Sequence, residues 1–399
     1  MLRKLTQSRP GLVAFVAALA AAEVAVLLLR PRTGLISPLP VQASDYFTPA
    51  QIERATGYRD PQLALYGLSL ALQAGTLILL VRRGIPRRAL AAGALVSLAL
   101  TVATLPIAAI SRQRGIDVGL VTQSWGGWAG DVAKSAAIGA LLAALGAGLA
   151  ALLARRFGPR WWMPGSALVM VVGAGFLYAG PVVLDPLFNR FEPLPAGALR
   201  SDVLRLADQA GVKVGQVYEI DASRRTTASN AYVTGLGASK RVVIYDNLIK
   251  DFTPEQTRLV VAHELGHVHY RDVVHGLLYL LLVAPFGVFA VTRLTERWSG
   301  GDAARWVPAL VLALGVVSTP VTMVSNQLSR DVEARADAYA LKLAGSGSVE
   351  PFIGFQRRIA NTNVSDPDPP GWLHALLGTH PTTIERIGIA KAYAATSGR

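Results

Sequence analysis

Seven apolar segments, each about 20 residues long, constrain the fold of this chain more than any other feature. A helix needs about 20 predominantly apolar residues to cross the roughly 30 Å hydrocarbon core of a bilayer. The segments are Gly11–Leu29, Leu63–Val81, Ala89–Ile110, Ser135–Ala154, Trp161–Leu184, Val273–Thr292 and Trp306–Ser325. We therefore predict a mainly α-helical, multi-pass protein of the cell membrane with about seven transmembrane helices.

The composition excludes several other classes of protein. Hydrophobic residues make up 52% of the 399 residues and charged residues 16%, whereas about a quarter of the residues in soluble domains are charged. A disordered chain, a collagen and a disulfide-stabilised scaffold do not have such a composition. The sequence has no cysteine, which excludes iron–sulfur clusters, thiol nucleophiles and cysteine-based zinc fingers.

The net charge of +13 indicates a lipid bilayer as partner and not a nucleic acid. Arginine and lysine do not form one stripe, as they would on a nucleic-acid-binding surface. They form short clusters between the apolar segments: Arg3–Lys4, Arg82–Arg83, Arg87–Arg88 and Arg155–Arg156. Clusters of this kind flank membrane spans.

The first apolar segment has an alternative interpretation. Residues Met1–Leu29 could be a cleaved signal peptide, since a basic start precedes the apolar run. The run is long for a signal peptide and no clean small-x-small site follows, so we favour a retained span. Glu23 lies inside it, and we expect this carboxylate either to face protein or water, or to reach the interface.

Two segments are too polar to cross a membrane. Arg30–Asp60 is predicted to be a polar loop, and Asp185–Asp272 a folded extramembrane unit. This unit should contain a helix through Leu199, Val203 and Leu206 that ends before Gly211, and two β-type runs, Val217–Ile220 and Val242–Tyr245. Because Gly235-Leu236-Gly237 separates Asn230–Thr234 from the second run, we expect a hairpin there.

The pattern His-Glu-x-x-His at His263-Glu264-Leu265-Gly266-His267 predicts a metal site. On a helix, positions i and i+4 share a face, so both imidazoles can bind one zinc ion. Glu264 would stand beside the metal as a general base. Thr253, Pro254 and Gln256 have the positions of an N-cap, a first helical proline and a capping box, so the helix should begin there.

A third ligand is expected at Glu333. A catalytic zinc keeps three protein ligands and one open position. Glu333 and Asp337 lie one helical turn apart just after the last span, so Glu333 could coordinate zinc while Asp337 accepts the free N–H of a ligand imidazole. The alternative for Glu333 is an exposed salt bridge with Arg330 or Arg335. We interpret the other histidines His269, His275 and His374 as structural.

The chain resembles the type I CAAX prenyl endopeptidases, a family of integral-membrane zinc metalloproteases. The likeness extends from about Pro181 to Arg386 and rests on five ordered blocks. They are Pro186–Leu194, Ser229–Gly237, His263–His267, Ser329–Asp337 and Thr379-His380-Pro381. The first 180 residues match only in hydropathy.

The resemblance implies seven helices around a water-filled chamber, with a small α+β zincin-like unit that carries one zinc ion. It implies that His263, His267 and Glu333 bind zinc, that Glu264 is the base and that Asp337 orients a ligand. It also implies that His380, and with it Arg386, stabilises the oxyanion of the tetrahedral intermediate. Asn230-Ala231-Tyr232 would be an edge strand that pairs with a peptide substrate.

Together these patterns predict a membrane zinc metalloendopeptidase. We divide the chain into a membrane region of about five spans (residues 1–184), the extramembrane unit (185–272), two further spans (273–325) and a third-ligand helix with the C-terminal part of the unit (326–399).

One alternative is an intramembrane zinc protease, but polar residues Asp251–Arg258 precede the motif. Another is a channel or transporter with a structural metal, which would not need Glu264.

The sequence arguments about the side of the membrane disagree. Five predicted spans separate the N-terminus from Asp185–Asp272, while the arginine-rich loops at Arg82–Arg88 and Arg155–Arg160 lie on the side of the N-terminus. The positive-inside rule places such loops in the cytoplasm, and therefore the active site outside. The family resemblance implies a cytoplasmic active site. The charge pattern favours the external side, and the sequence predicts only a membrane location.

Overall fold

The computed structural model describes residues 9–235 and 240–397, and it begins with five long helices. They are α1 (Arg9–Leu29), α2 (Pro49–Arg83), α3 (Ala89–Asp117), α4 (Trp125–Phe157) and α5 (Trp162–Ala179). The first four each contain one predicted apolar segment, and α5 with the π-helical turn Gly180–Leu184 that follows it covers the fifth from Trp162 onwards. All five are long and apolar enough to cross a membrane. These five span predictions are confirmed.

The predicted loop Arg30–Asp60 is shorter than expected, because α2 already begins at Pro49. The Thr48 side chain accepts a hydrogen bond from the backbone N–H of Gln51, and the Gln51 side chain accepts one from the N–H of Thr48. This capping box starts a helix ahead of the apolar segment. The added turns extend α2 by about 20 Å beyond the predicted span.

The extramembrane unit combines a small sheet with three helices. Its elements are β1 (Phe191–Pro193), α6 (Ala198–Gln209), β2 (Gln216–Ile220), β3 (Ala231–Thr234), β4 (Arg241–Tyr245), α7 (Asp246–Asp251) and α8 (Pro254–His269). The strand order is β1-β2-β4-β3, with β2 parallel and β3 antiparallel to β4. The predicted helix and hairpin are therefore confirmed, while residues 236–239 at the hairpin tip lie outside the described residues.

One apolar core holds this unit together. Leu206 of α6, Val242 and Ile244 of β4, Leu248 of α7 and Leu265 of α8 are almost completely buried and belong to one cluster. Burying a side chain of this size stabilises the fold by about 1.5–3 kcal/mol. The cluster therefore fixes the orientation of α8 against the sheet.

Two further long helices follow, then three helices that return to the extramembrane unit. They are α9 (Asp272–Ser299), α10 (Ala303–Ala344), α11 (Val349–Thr362), α12 (Gly371–Leu377) and α13 (Thr383–Ser397). The apolar parts of α9 and α10 confirm the last two predicted spans. The predicted boundary between residues 325 and 326 falls inside α10, which is one continuous helix of 42 residues.

Small residues allow α1 to pack closely against α9 and α10. Ala14, Ala18 and Ala22 recur on one face of α1 and are at most 2% exposed. Ala14 and Ala18 pack in one cluster with Val291 of α9 and Ala313 of α10. In lipid, small residues at an interface let helix backbones approach, and dispersion contacts then hold them together.

By contrast, the most apolar parts of α4 and α5 are largely exposed, although α4 packs closely on α3, where a Cβ atom on Gly93 would lie 2.3 Å from the backbone oxygen of Ala143. Only 6% of the most apolar part of the helical segment containing α4 is buried, and none of that containing α5. Helices packed along a full face would bury more of their residues. An exposed apolar surface of this kind suits contact with lipid, and the water-filled chamber stays a prediction.

Candidate metal centre and active site

Two helices bring the three predicted metal ligands together. His263 and His267 lie one turn apart on α8, and Glu333 lies on α10. The Nε2 atom of His263 is 3.0 Å from Glu333 Oε2 and 3.2 Å from His267 Nε2. His267 Nε2 is 3.6 Å from Glu333 Oε1. Two imidazole nitrogens and the two oxygens of one carboxylate therefore converge on one point.

The arrangement fits a zinc ion. Tetrahedral zinc with ligands at about 2.0–2.2 Å places neighbouring ligand atoms about 3.3 Å apart. The three separations of 3.0, 3.2 and 3.6 Å scatter around that value. Among the described residues, His263, His267 and Glu333 are the group of side chains whose ligand atoms lie close enough together to hold one metal ion.

Each imidazole is oriented by a carboxylate at its other nitrogen. His263 Nδ1 lies 2.9 Å from Asp337 Oδ1, as the sequence predicted for Asp337. His267 Nδ1 lies 2.9 Å from Asp272 Oδ2. In a neutral imidazole whose Nδ1 donates to a carboxylate, Nε2 carries no proton and its lone pair is free for a metal.

The sequence analysis missed Asp272. Its signal is an aspartate five residues after His267, at the first position of α9. Such a spacing does not place the two side chains on one helical face. They meet because the chain turns at Arg271, which has the left-handed backbone φ of 56°.

Arginines hold both carboxylates in turn. Arg386 donates from Nε to Asp337 Oδ2 at 2.7 Å and from a terminal nitrogen to Oδ1. Arg335 donates to Asp272 and lies 4.1 Å from the ring centre of Tyr270. The alternative salt bridge of Glu333 with Arg335 is thus not formed, since Arg335 pairs with Asp272.

Helix α10 approaches α8 closely beside the ligands. A Cβ atom on Gly266 would lie 3.2 Å from Tyr339 and 3.4 Å from the backbone of Ala336. The glycine between the two ligand histidines therefore leaves space for the helix that carries Glu333.

Glu264 faces a small cavity beside the ligands. The cavity has a volume of about 90 Å³, and its polar lining consists of Asn230, His263, Glu264, Gln356, His380 and Arg386. Burial raises the pKa of Glu264, whereas the backbone N–H of Val233 on β3 donates to its carboxylate and opposes that shift.

His380 approaches the ligands from the C-terminal part of the chain. Its Nε2 atom is 3.4 Å from Glu333 Oε2, and its Nδ1 atom is 2.9 Å from the Thr379 hydroxyl. Partial burial lowers the pKa of His380, so the imidazole is neutral at physiological pH. With Nδ1 accepting from Thr379, Nε2 carries the proton and points towards the metal site.

Helix α10 also positions the segment that carries His380. Arg330 donates to the backbone oxygens of His374 and Gly378, and Asn326 donates to that of Leu376. His374 Nε2 lies 2.8 Å from the backbone oxygen of His380. Arg330 thus binds carbonyl groups at the end of α12. His374 contacts the backbone of His380, which agrees with its interpretation as a structural residue.

Strand β3 lies at the edge of the sheet, next to α8. It pairs with β4 alone, from Ala231 opposite Ile244 to Thr234 opposite Arg241. Asn230 precedes the strand and lines the cavity, and the Tyr232 hydroxyl donates to Asp185 at 2.9 Å. The predicted segment Asn230-Ala231-Tyr232 is therefore at the edge of the sheet beside Glu264, where the Ala231 N–H donates to the Asn230 side chain at 2.9 Å.

The remaining histidines are away from the metal ligands. His269 stacks on Tyr339 with ring centres 4.7 Å apart, and His275 contacts the backbone oxygen of Arg271. Arg386, expected at the oxyanion, is engaged with Asp337 through two of its nitrogens while it also lines the cavity.

Comparison with known families matches both halves of the chain. Residues 193–394 match peptidase family M48, and residues 64–190 match the family described as CAAX prenyl protease N-terminal, five membrane helices.

Individual proteins are similar over a large part of the chain. The uncharacterized metalloprotease YhfN of Bacillus subtilis (strain 168) is 33% identical over 301 residues, which cover 73% of this chain and 70% of YhfN. The probable CAAX prenyl protease 1 of Schizosaccharomyces pombe is 29% identical over 276 residues, covering 64% of this chain and 56% of that protein.

A solved structure has the same fold. The crystal structure of S. mikatae Ste24p superimposes with a TM-score of 0.74 over 95% of this chain and 98% of that chain, at 21% sequence identity. At this identity, the likeness concerns the arrangement of helices and sheet.

Proposed function

This chain is a membrane metalloendopeptidase of peptidase family M48, and we propose that it binds one zinc ion through His263, His267 and Glu333, with Glu264 as the general base. The observation that carries the proposal is the convergence of two Nε2 atoms and the Glu333 carboxylate beside Glu264. The two nitrogens are 3.2 Å apart, and each lies 3.0–3.6 Å from one of the two carboxylate oxygens. A metallopeptidase needs a set of ligands of this kind, and the described residues supply one at this place.

The chain's own residues have separate parts in peptide hydrolysis. When bound, a zinc ion polarises the scissile carbonyl and acidifies the attacking water. Glu264 accepts the proton of that water and delivers it to the leaving amine. Burial raises the pKa of Glu264. The protonated side chain is therefore a weaker acid than an exposed glutamic acid, and it holds the proton until it passes it to the leaving amine.

His380 is proposed as the donor to the developing oxyanion. Its Nε2–H points towards the ligands, and as a neutral group it can donate without giving up its proton. One such donor is typically worth about 100–1,000-fold in turnover. Arg386 positions Asp337, and its remaining N–H groups are available to the cavity.

We propose an extended peptide segment as the substrate. Its backbone would pair with the edge of β3 at Asn230-Ala231-Tyr232, which lies beside Glu264, and would replace the bond from the Ala231 N–H to the Asn230 side chain. Pairing with a sheet edge fixes the peptide backbone without reading every side chain. The CAAX prenyl specificity belongs to the names of relatives, and we propose only the peptide class for this chain.

The alternatives predicted from the sequence are not favoured. Helix α8 belongs to the extramembrane unit and packs on its sheet, which differs from the motif-bearing span of an intramembrane protease. A channel or transporter does not account for the match to peptidase family M48. We retain the division at residues 184, 272 and 325 as a proposal, with α10 crossing the last boundary.

The test is Glu264→Gln in the purified full chain. We expect hydrolysis of a fluorogenic peptide library to fall to background while zinc content stays near one ion per chain, because the base is removed and the ligands remain. Glu255→Gln is the matched control, since Glu255 is exposed on the same helix. Normal hydrolysis by Glu264→Gln would refute the assignment, and so would loss of zinc in parallel with activity.

A further inference from the structure

One wall of the cavity beside Glu264 is formed by helix α11. Phe355 and Gln356 follow Phe352 by three and four residues, and Ile359 follows it by seven, so the four side chains share one face of the helix. All four line the cavity. The face of α11 that borders the active site is therefore apolar except for one amide.

Gln356 is deeply buried for a polar residue. It is 1% exposed, and its neighbours Phe352 and Phe355 on the same face are buried as well. Within residues 9–235 and 240–397, the Nε2 atom of Gln356 has no hydrogen-bond partner. A buried donor without a partner destabilises a fold, so packing alone does not account for an amide at this position.

The other polar side chains of the cavity have partners. Asn230 accepts a hydrogen bond from the backbone N–H of Ala231, and Glu264 accepts one from that of Val233. Gln356 is thus the uncharged group of the described lining whose donor is unpaired. The remaining polar lining residues are paired as described above: His263 and Arg386 with Asp337, and His380 with Thr379.

The size of the cavity suits a short side chain. Its volume of about 90 Å³ exceeds several-fold the roughly 10–15 Å³ that a single water molecule needs. Water in a polar cavity satisfies groups such as the Gln356 amide. A substrate side chain that displaces this water must form the bond itself, or affinity is lost because the amide stays unpaired.

The position of the cavity relates it to one residue of the substrate. In the proposed reaction Glu264 passes its proton to the leaving amine, so the residue that supplies this amine lies next to Glu264. Leu259 and Val260, about one helical turn before Glu264 on α8, line the same cavity. The side chain of the residue after the cleaved bond can therefore enter it.

We propose that this cavity is the pocket for the residue after the cleaved bond, and that Gln356 selects there a short, uncharged side chain with a hydrogen-bonding oxygen, such as serine or threonine. The proposal rests on the peptidase function proposed above. A charged side chain would lose its hydration between Phe352 and Phe355 without gaining an opposite charge from the amide. Valine has nearly the shape of threonine but cannot bond to Gln356, and sites with a buried polar group discriminate strongly against such analogues.

The test measures peptide binding, because binding does not require turnover. A peptide of otherwise constant sequence carries threonine at one position at a time, and a matched set carries valine. Dissociation constants are measured with the purified full chain carrying Glu264→Gln, so that no peptide is cleaved, and with Gln356→Met added to it. Gln209→Met is the matched control, since it makes the same change at an exposed position of α6.

We expect one position at which threonine binds about 10–100-fold more tightly than valine. Gln356→Met should abolish this preference without altering zinc content, and Gln209→Met should leave the preference unchanged. Gln356→Leu replaces Gln356→Met in the event that the latter does not fold. A lack of preference at every position would overturn the proposal, and so would a preference that persists without Gln356.

Hydrolysis of the same peptides by the chain with Glu264 intact shows which bond is cleaved. The preferred threonine should be the residue after that bond, and a preference at any other position would also overturn the proposal. If the preference depends on Gln356 but no peptide is cleaved, the peptidase function fails while recognition by Gln356 stands. Failure of the pocket and failure of the proposed function are therefore separate results.

Discussion

Single residues around the metal site form two parallel chains of contacts. One runs from His263 through Asp337 to Arg386, and the other from His267 through Asp272 to Arg335. In each chain an arginine neutralises the carboxylate that fixes an imidazole. The two ligands are therefore held from different elements, and either chain can be altered separately.

Asp272→Asn should weaken zinc binding by about 10–100-fold, as is typical when the partner of a ligand histidine is changed. The amide keeps the size of the side chain but holds His267 less firmly, because the carboxylate charge is lost. Competition with a chromogenic zinc chelator measures the affinity. Asp208→Asn, exposed on α6, is the control. An unchanged affinity for Asp272→Asn would show that His267 does not need this partner.

Zinc affinity should also fall as the pH falls. Burial opposes a charge on His263, but hydrogen bonds to Asp337 and Glu333 overcome it and raise the pKa of the metal-free imidazole to about 10. Below that pH the metal-free site holds a proton that zinc must displace, so affinity should rise about tenfold per pH unit between pH 6 and 9. Chelator competition across this range tests the slope, and an affinity independent of pH would contradict the proton on His263.

At the scale of elements, the site depends on how α10 packs against α8. The 42 residues of α10 extend from Ala303, at the end of the bundle away from the metal site, to Ala344 beside the sheet. Along this helix Asn326 and Arg330 hold the segment before His380, Glu333 faces His263, and Asp337 lies at the other nitrogen of His263. A small displacement of α10 would therefore disturb several functional groups together.

Gly266→Val should displace α10 and lower zinc affinity although every ligand is retained. A Cβ atom at this position already lies 3.2 Å from Tyr339 and 3.4 Å from the Ala336 backbone, and the two further methyl groups of valine need more space. We expect a smaller loss for Gly266→Ala. Gly276→Val on α9 is the matched control, because nothing lies within 4 Å of its Cβ position. Equal affinities of Gly266→Val and the control would show that this contact does not position Glu333.

Across the whole molecule, the chemistry and the excess charge lie at opposite ends. Glu333 is separated from Ala303 at the start of α10 by 30 residues, which correspond to about 45 Å along a helix. Charges at that distance are screened from each other at physiological ionic strength, where the Debye length is about 8 Å. The arginine-rich connections near Ala303 (residues 82–88, 155–160 and 293–305) therefore do not act on the metal site through their charge.

The spans and the metal motif follow from local patterns in the sequence. A run of about 20 apolar residues has few alternatives to a membrane helix, and all seven predicted runs lie on helices of the structure. His263 and His267 share a face because of helical periodicity alone, and the capping box of Thr253 and Gln256 specifies where that helix begins. Glu333 was predicted because its segment supplies the missing ligand type.

Contacts between distant segments were decided only by the tertiary structure. Asp272 reaches His267 through the turn at Arg271, and Arg386 binds Asp337 from a helix 49 residues further along the chain. Periodicity predicts which side chains share a face, but not which faces meet. The sequence alone determined seven membrane helices and the residue types of a zinc peptidase. Packing of α10 on α8 decided which carboxylate orients each histidine, because that depends on distances between elements that no local pattern contains.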